Sequence, residues 1–431
     1  MKMSPREDLQ TALSPAARGL SARVSSLAAG AILALAFSTS ACGADDERRP
    51  WKPTTGDGAV YALHVVVFDP EFNATSYVAL TDTLDLSQVT LDSAREFPGW
   101  ITIATVGGRL LVANEADPTV TSYEITAGGE WQQNARLSFL DYGVQDAGFG
   151  RQWFVNEHKA YVELDVTKRV VWDPTDFVIR GVKENSGLEL ERAGLELEPG
   201  LNRQLRLRKG PLLRPFYYAD KNDWLTYAPT SQIASYDPET DEESAIIDAP
   251  CPGLHLGTQD EQGRTYFGLW DALPKLALYG QGPKPCVART RPDGSLDEAW
   301  RPDLSTWAGD RFVMVFRYVK DGIALANVLH HEELGADFSG PYDPDVGDEV
   351  ENGEHYRVWR FDLEHETAQP VEGLPKTPWG FHASDIDGHS FIFLPYDEWG
   401  RTRVFEVDLQ SGVATERFDT LGWVYDWVRV R

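Results

Sequence analysis

One pattern recurs along most of this 431-residue chain and limits what it can fold into: a strand of alternating polarity, a turn rich in Asp, Pro and Gly, then a second strand. Five copies are plain: TSYEITAGGEWQQNARLSF, QIASYDPETDEESAIID, CVARTRPDGSLDEAWRPD, YRVWRFDLEHETAQPVEG and TRVFEVDLQSGVATERF. Two looser ones, SYVALTDTLDLSQVTLDSAR and RVVWDPTDFVIRGVK, bring the number to seven. Ahead of six of them lies another hairpin: ITIATVGGRLLVANE, WFVNEHKAYVELD, FYYADKNDWLTYA, LGTQDEQGRTYFGLW, VMVFRYVKDGIALAN and HASDIDGHSFIFLPY. Four strands per unit predict the blades of a β-propeller. The segment ENSGLELERAGLELEPGLNRQLRLRKG reads as an extended hairpin inserted in the third blade, with its basic end, Arg203 to Lys209, either bordering the central funnel or pairing with nearby acids.

The first unit lacks its leading strand, because the chain passes from AVYALHVVVF directly to SYVALTDTL. At the other end GWVYDWVRVR is strand-like and has no partner of its own. Joined, they complete one blade and remove two open sheet edges, which favours seven blades over six or eight. The expectation is an all-β, seven-bladed propeller with four-stranded blades over residues 59–431, its ring closed by the C-terminal strand. The 14 Trp and 16 Tyr against 3 Met suit such a sheet protein.

Before the repeats, Arg18 and Arg23 precede an apolar run from Leu27 to Phe37 and the small residues Ser38 to Ala41, which is a signal peptide over residues 1–41. Cys42 follows directly, in the place of the lipid-modified cysteine of a bacterial lipobox, although Thr39 stands where Leu is usual. Residues 42–58 then read as a lipid-anchored spacer, and the propeller as a cell-envelope protein of the outer membrane. In that oxidising setting Cys251 and Cys286 are expected to form a disulfide. Acidic residues outnumber basic ones 67 to 40, and the net charge of −27 argues against nucleic acid as a partner.

In a propeller, the links between blades and the turns between second and third strands share one face, where ligand sites usually lie. The seven links read FPGWIT, AGFGRQW, LLRPFYY, CPGLHLG, TWAGDRF, TPWGFHA and LGWVYDW. They place Trp100, Arg151, Arg214, His255, Trp307, Arg311, Trp379, His382, Trp423 and Tyr425 around the funnel as candidate ligand-binding residues. Indole and phenol rings with guanidinium and imidazole groups suit a flat, aromatic, anionic ligand held by stacking and charge-assisted hydrogen bonds. No metal site or catalytic group is expected. The loop with His330, His331, Glu332, Asp343, Asp345, Asp348 and His355 lacks HExxH, having Gly335 at the second His position, and lacks EF-hand spacing. It reads as a solvated acidic loop.

Within this frame TSYVALTDTLDLSQVTLDSAREFPGW, NEADPTVTSYEITAGGEW and LSFLDYGVQDAG resemble the propeller lipoproteins encoded in bacterial siderophore gene clusters, including the myxochelin and xenosiderophore-utilisation clusters. Asp117-Pro118-Thr119-Val120 and Tyr123 carry the hairpin of the likeness, whose specific motifs fall within residues 76–148. The resemblance implies a non-catalytic outer-membrane lipoprotein that binds ferric siderophore beside a TonB-dependent receptor. The only cofactor is then the iron of the bound siderophore, with the catecholate type favoured. The alternatives are a propeller enzyme, such as a lactonase or a siderophore-releasing hydrolase with His255, His382 and Asp310 as its best groups, or a protein-docking scaffold. Mass measurement of the mature N-terminus is expected to find an acylated Cys42. An unmodified N-terminus would make the leader an ordinary secretory one.

Overall fold

The alternating polarity of the repeats becomes seven antiparallel sheets in ring order. A computed structural model of the chain describes residues 58–431 apart from 115–116, 201–208, 222–225, 270–273, 379 and 398–399. Signal peptide, Cys42 and the spacer through residue 57 lie outside the described residues. Blade 2 shows the unit: Ile101–Val106 innermost, then Arg109–Asn114, Thr119–Ile125 and Trp131–Ser138 outermost. Blade 3 runs from Gln152–Asn156 to Val178–Glu184, blade 6 from Phe312–Lys320 to Thr367–Pro370, and blade 7 from His382–Ile386 to Val413–Leu421. Among the described residues, no helix is long and apolar enough to cross a membrane.

The ring closes as the terminal segments predict. The C-terminal strand Trp423–Arg429 pairs with Tyr61–Phe68, which continues to Ala74–Thr81 and Arg95–Pro98 as blade 1. Beyond the strand, Val430 N–H donates to Val60 C=O at 2.7 Å and Val60 N–H to Arg431 C=O at 3.1 Å. Gly422 starts this strand with φ +75°, and a Cβ there would stand 2.6 Å from the Val66 carbonyl oxygen. Only glycine fits both the left-handed backbone and the contact. Packing across this seam joins Tyr61, Leu63 and Val65 to Phe391, Phe393, Val404 and Trp427, and similar apolar clusters fill the spaces between other blades.

The turns joining third and outer strands repeat one local device. Asp173, Asp237, Asp362 and Asp408 each accept, through one carboxylate oxygen, from the backbone N–H groups two and three residues ahead. Four residues after each Asp the chain turns left-handed, at Phe177, Asp241, Glu366 and Gly412. The side chain satisfies backbone donors that the turn would otherwise expose.

Two blades depart from expectation. The 186–210 segment is no insertion in blade 3, because Leu195–Pro199 pairs with Leu212–Ala219 and supplies the inner strand of blade 4. Leu212–Ala219 is therefore a second strand, followed by Tyr227–Tyr236 and Glu243–Ala249, while Glu191–Arg192 adds a fifth strand inside. Arg203 to Arg208 lie outside the described residues. Blade 5 has three strands, Leu254–Gln259, Thr265–Leu269 and Ala288–Thr290, and only an isolated bridge, Thr290↔Leu296, in place of an outer strand. Pro292 and Pro302 flank that bridge, and proline donates no ladder hydrogen bond.

Truncation after Gly422 removes buried Trp423, Val424 and Trp427, each contributing roughly 1.5–3 kcal/mol by burial. Urea unfolding of this variant should show a broadened transition at a much lower midpoint. An unchanged midpoint would mean that the closing strand does not hold the ring.

Candidate functional site

Of the ten candidate residues, four converge. His382 and Trp423 lie 4.8 Å apart between ring centroids, and Tyr425 lies 5.1 Å from His382 and 5.4 Å from Trp423. Trp100 joins them edge-on, 5.2 Å from both Trp423 and Tyr425. The cluster arises where blades 7, 1 and 2 meet, since these rings stand on or just before three neighbouring inner strands.

The others do not form an anion pocket. Arg214 is buried between blades 3 and 4, where Nε donates to Glu163 Oε1 at 3.1 Å and Nη2 to Oε2 at 2.5 Å, with the guanidinium 4.4 Å from the Trp153 ring centre. Its placement on a second strand rather than a link follows from the revised blade 4. Arg311 is engaged by Glu332 at 2.5 Å, and Arg151 stands half-exposed 3.3 Å from Asp146. His255 is buried and stacks on Tyr217 at 4.5 Å. Burial and the nearby Arg214 charge push its pKa down to about 3, so it stays neutral at ordinary pH. Trp307 ends the short helix Leu304–Trp307 and packs into the blade 5–6 cluster. Trp379 lies outside the described residues.

The cavity beside the converged rings is the central channel, about 730 Å³. Tyr425 and His382 line it, together with polar residues that the sequence reading missed: Arg317, Thr258, Ser384, Asp385 and Asp426. The inner strands deliver these groups through bulges. In blade 1 the register jumps from His64↔Asp426 to Val65↔Val424, leaving Tyr425 as the extra residue, and Tyr425 and Asp426 both line the channel. In blade 6 it jumps between Met314 and Arg317, where the β-branched Val315 has φ +47°. In blade 5 it jumps between Leu254 and Gly257.

Within the channel Ser384 Oγ donates to Asp426 at 3.2 Å, Ser390 Oγ to Asp385 at 2.8 Å, and Arg317 to the Ala383 carbonyl at 2.5 Å and Asp385 at 3.3 Å. The lining among the described residues holds four carboxylates, Glu157, Asp385, Asp387 and Asp426, against three guanidiniums, Arg317, Arg429 and Arg431. The two signs nearly balance, and the three arginines expected around an anion-binding funnel, Arg151, Arg214 and Arg311, are absent from this lining. The face also changes. Leu278 of helix Pro274–Leu278 and Val350 of helix Pro344–Asn352 pack in one cluster with Phe381 and Trp423, and Lys275 pairs with Glu351, covering the link face above blades 5 to 7. The channel lining reaches instead the opposite turns, at Gly107, Gly108, Asp387 and Arg431.

The remaining candidates are structural. Cys251 and Cys286 form a disulfide, with Cα atoms 5.8 Å apart, tying the blade 4–5 link to the third strand of blade 5. In the acidic loop, His330 receives the Trp359 indole N–H at 3.3 Å, His355 pairs with Glu349 at 2.8 Å, and Asp343 caps the helix. Among the described residues one group has metal-ligand spacing, His158, Asp173 and Asp176, and Arg180 pairs with both of its carboxylates. A groove of about 830 Å³ between lower turns of blades 6 and 7 is larger than the channel. Its charges pair with one another, His389 with Glu406 at 2.6 Å and Arg360 with Asp362 at 3.5 Å, and among the described residues no Phe, Tyr or Trp lines it, whereas Tyr425 and Phe381 line the channel, so the channel is the better site.

No protein-family model matches the chain, and no curated protein matches it by sequence. Among solved structures, a periplasmic gluconolactonase from Pseudomonas aeruginosa superposes on 86% of this chain and 99% of its own, with a TM-score of 0.51 and 14% identity. An apocarotenoid oxygenase of Synechocystis covers 86% of this chain and 92% of its own, at a TM-score of 0.47 and 10% identity. These identities establish the propeller fold alone. They still overturn the expectation of a non-catalytic protein, because a fold that an enzyme shares over 86% of this chain gives no ground for excluding catalysis.

Arg214→Ala is expected to lower the unfolding free energy by about 3–5 kcal/mol, since it leaves Glu163 buried and unpaired. Arg214→Met should cost as much or slightly less, and denaturant titration of both checks this. Unchanged stability would return Arg214 to the list of ligand groups.

Proposed function

We propose that this chain takes an uncharged or cationic, ring-bearing small molecule into its central channel. The observation that carries the reading is the bulge at Tyr425, which brings a phenol ring and the Asp426 carboxylate to one cavity beside His382. The ring offers a stacking face, and Asp426 offers a hydrogen-bond acceptor already oriented by Ser384. The leader peptide and the disulfide support a location outside the cytoplasm, at the cell envelope.

Two finer readings divide on whether the molecule leaves changed. Hydrolysis of a cyclic ester is supported by the channel carboxylates and by the fold shared with the gluconolactonase. There Asp426 would take a proton from water as its oxygen bonds to the ester carbonyl carbon. The ring C–O bond then breaks, and the leaving alkoxide takes the proton back. Capture of a ferric siderophore, beside a TonB-dependent receptor and tethered through Cys42, is supported by the sequence resemblance. The channel charges favour complexes without net negative charge, such as neutral ferric hydroxamates, over the multiply negative ferric tris-catecholates.

Titration of the purified protein with glucono-1,5-lactone, a ferric tris-hydroxamate and a ferric tris-catecholate separates these readings. Trp fluorescence should quench saturably with the lactone or the hydroxamate, because Trp100 and Trp423 touch Tyr425. Tyr425→Ala should weaken that binding about tenfold or more. If proton release above the spontaneous rate accompanies the lactone, Asp426→Asn should abolish it while quenching persists. Binding of the tris-catecholate alone would overturn the proposal.

A further inference from the structure

Behind the channel wall of blade 6 sits a polar side chain that the site above does not use. Asn327 is fully buried, and neither Nδ2 nor Oδ1 has a hydrogen-bond partner among the described residues. It stands on the second strand, opposite Met314 in register. Leu325 and Leu329, its neighbours on the same strand face, pack in one apolar cluster with Met314, Val315 and Phe381. Burying an amide in such surroundings is costly unless something hydrogen-bonds to it.

The wall in front of it is strained. Val315 and Phe381 line the channel and belong to that same cluster. Val315 occupies the blade 6 bulge with φ +47°, a region that β-branched residues rarely adopt. On its far side is Gly380, where a Cβ would come within 3.4 Å of Val315 Cγ2. Val315, next in the chain to Met314, the register partner of Asn327, thus carries the strained backbone of the wall on that side of the channel.

We propose that Asn327 is a buried polar subsite of the channel, reached when Val315 swings aside, which receives an uncharged hydrogen-bonding group such as a carbonyl, hydroxyl or carboxamide. This deepens the small-molecule reading and rests on it for the identity of the full ligand. Its register partners Met314 and Val358 and its strand-face neighbours Leu325 and Leu329 are apolar, so burying a charged group beside them would be costly. An amide that both donates and accepts matches a neutral carbonyl or hydroxyl on either side.

Acetamide is a suitable probe, with the side-chain amide resonance of Asn327 followed in protein labelled with ¹⁵N-asparagine. In the wild-type protein that resonance should shift saturably with acetamide. Val315→Gly, which adopts positive φ freely, should saturate at lower concentration. Asn327→Leu should raise the melting temperature and weaken whichever of the lactone or ferric hydroxamate binds by about tenfold. An Asn327 resonance unmoved by acetamide, with unchanged affinity in Asn327→Leu, overturns the subsite and leaves the amide satisfied by buried water alone. If acetamide saturates Asn327 while neither larger probe binds the wild type, the subsite stands and the small-molecule reading falls.

Discussion

The pairing of Trp423–Arg429 with Tyr61–Phe68 is the contact on which the rest depends. It joins the two ends of a ring whose blades each bury their faces against neighbours, so without it two blades would expose apolar faces and open edges. The same strand carries the bulge that brings Tyr425 and Asp426 to the channel. Closure and site construction therefore share one set of backbone hydrogen bonds. A ligand that grips the inner strands would also stabilise the ring, because binding to the folded state alone shifts the folding equilibrium.

Arginine and aromatic residues make the chain look like an anion binder, and the structure shows another use for them. Arg95 lies 4.6 Å from the Tyr123 ring centre and 5.1 Å from that of Trp131. Arg169 lies 3.9 Å from Tyr236, Arg214 4.4 Å from Trp153 and Arg289 4.6 Å from Trp300. These planar cations stack within and between blades, and several of their donors find local acceptors: Arg169 reaches the Asp241 carbonyl at 2.5 Å and Arg289 reaches Asp297 at 2.5 Å. Stacking plus a fixed acceptor lets a charged group fill a seam that a lysine would fill poorly. In this acidic chain such seams consume guanidinium groups that would otherwise be free to meet a ligand.

The bulged inner strands link stability to function in another way. Regular pairing would alternate side chains strictly between the two blade faces, and each bulge shifts that alternation by one residue. Tyr425 gains its place in the channel by such a shift, and Val315 takes up a strained backbone at another. The wall of the channel is consequently its least regular part, while the outer turns, held by Asp173, Asp237, Asp362 and Asp408, repeat faithfully.

Local rules made much of this legible in the chain itself. The Asp-led turns declare themselves because a single side chain satisfies each turn's backbone donors, and the unmatched segments at the two ends declare ring closure because each lacks a partner. Trp100, His382, Trp423 and Tyr425 could be gathered from their places at the blade links. Tertiary structure decided what local rules do not encode. It buried Arg214 against Glu163, moved the inner strand of blade 4 to Leu195–Pro199, and assembled Arg317, Asp385 and Asp426 into one cavity from three different blades. The physical reason is that a turn is fixed by hydrogen bonds within a few residues. The register of a bulged strand and the partner of a buried charge are instead settled only by packing between segments distant in sequence.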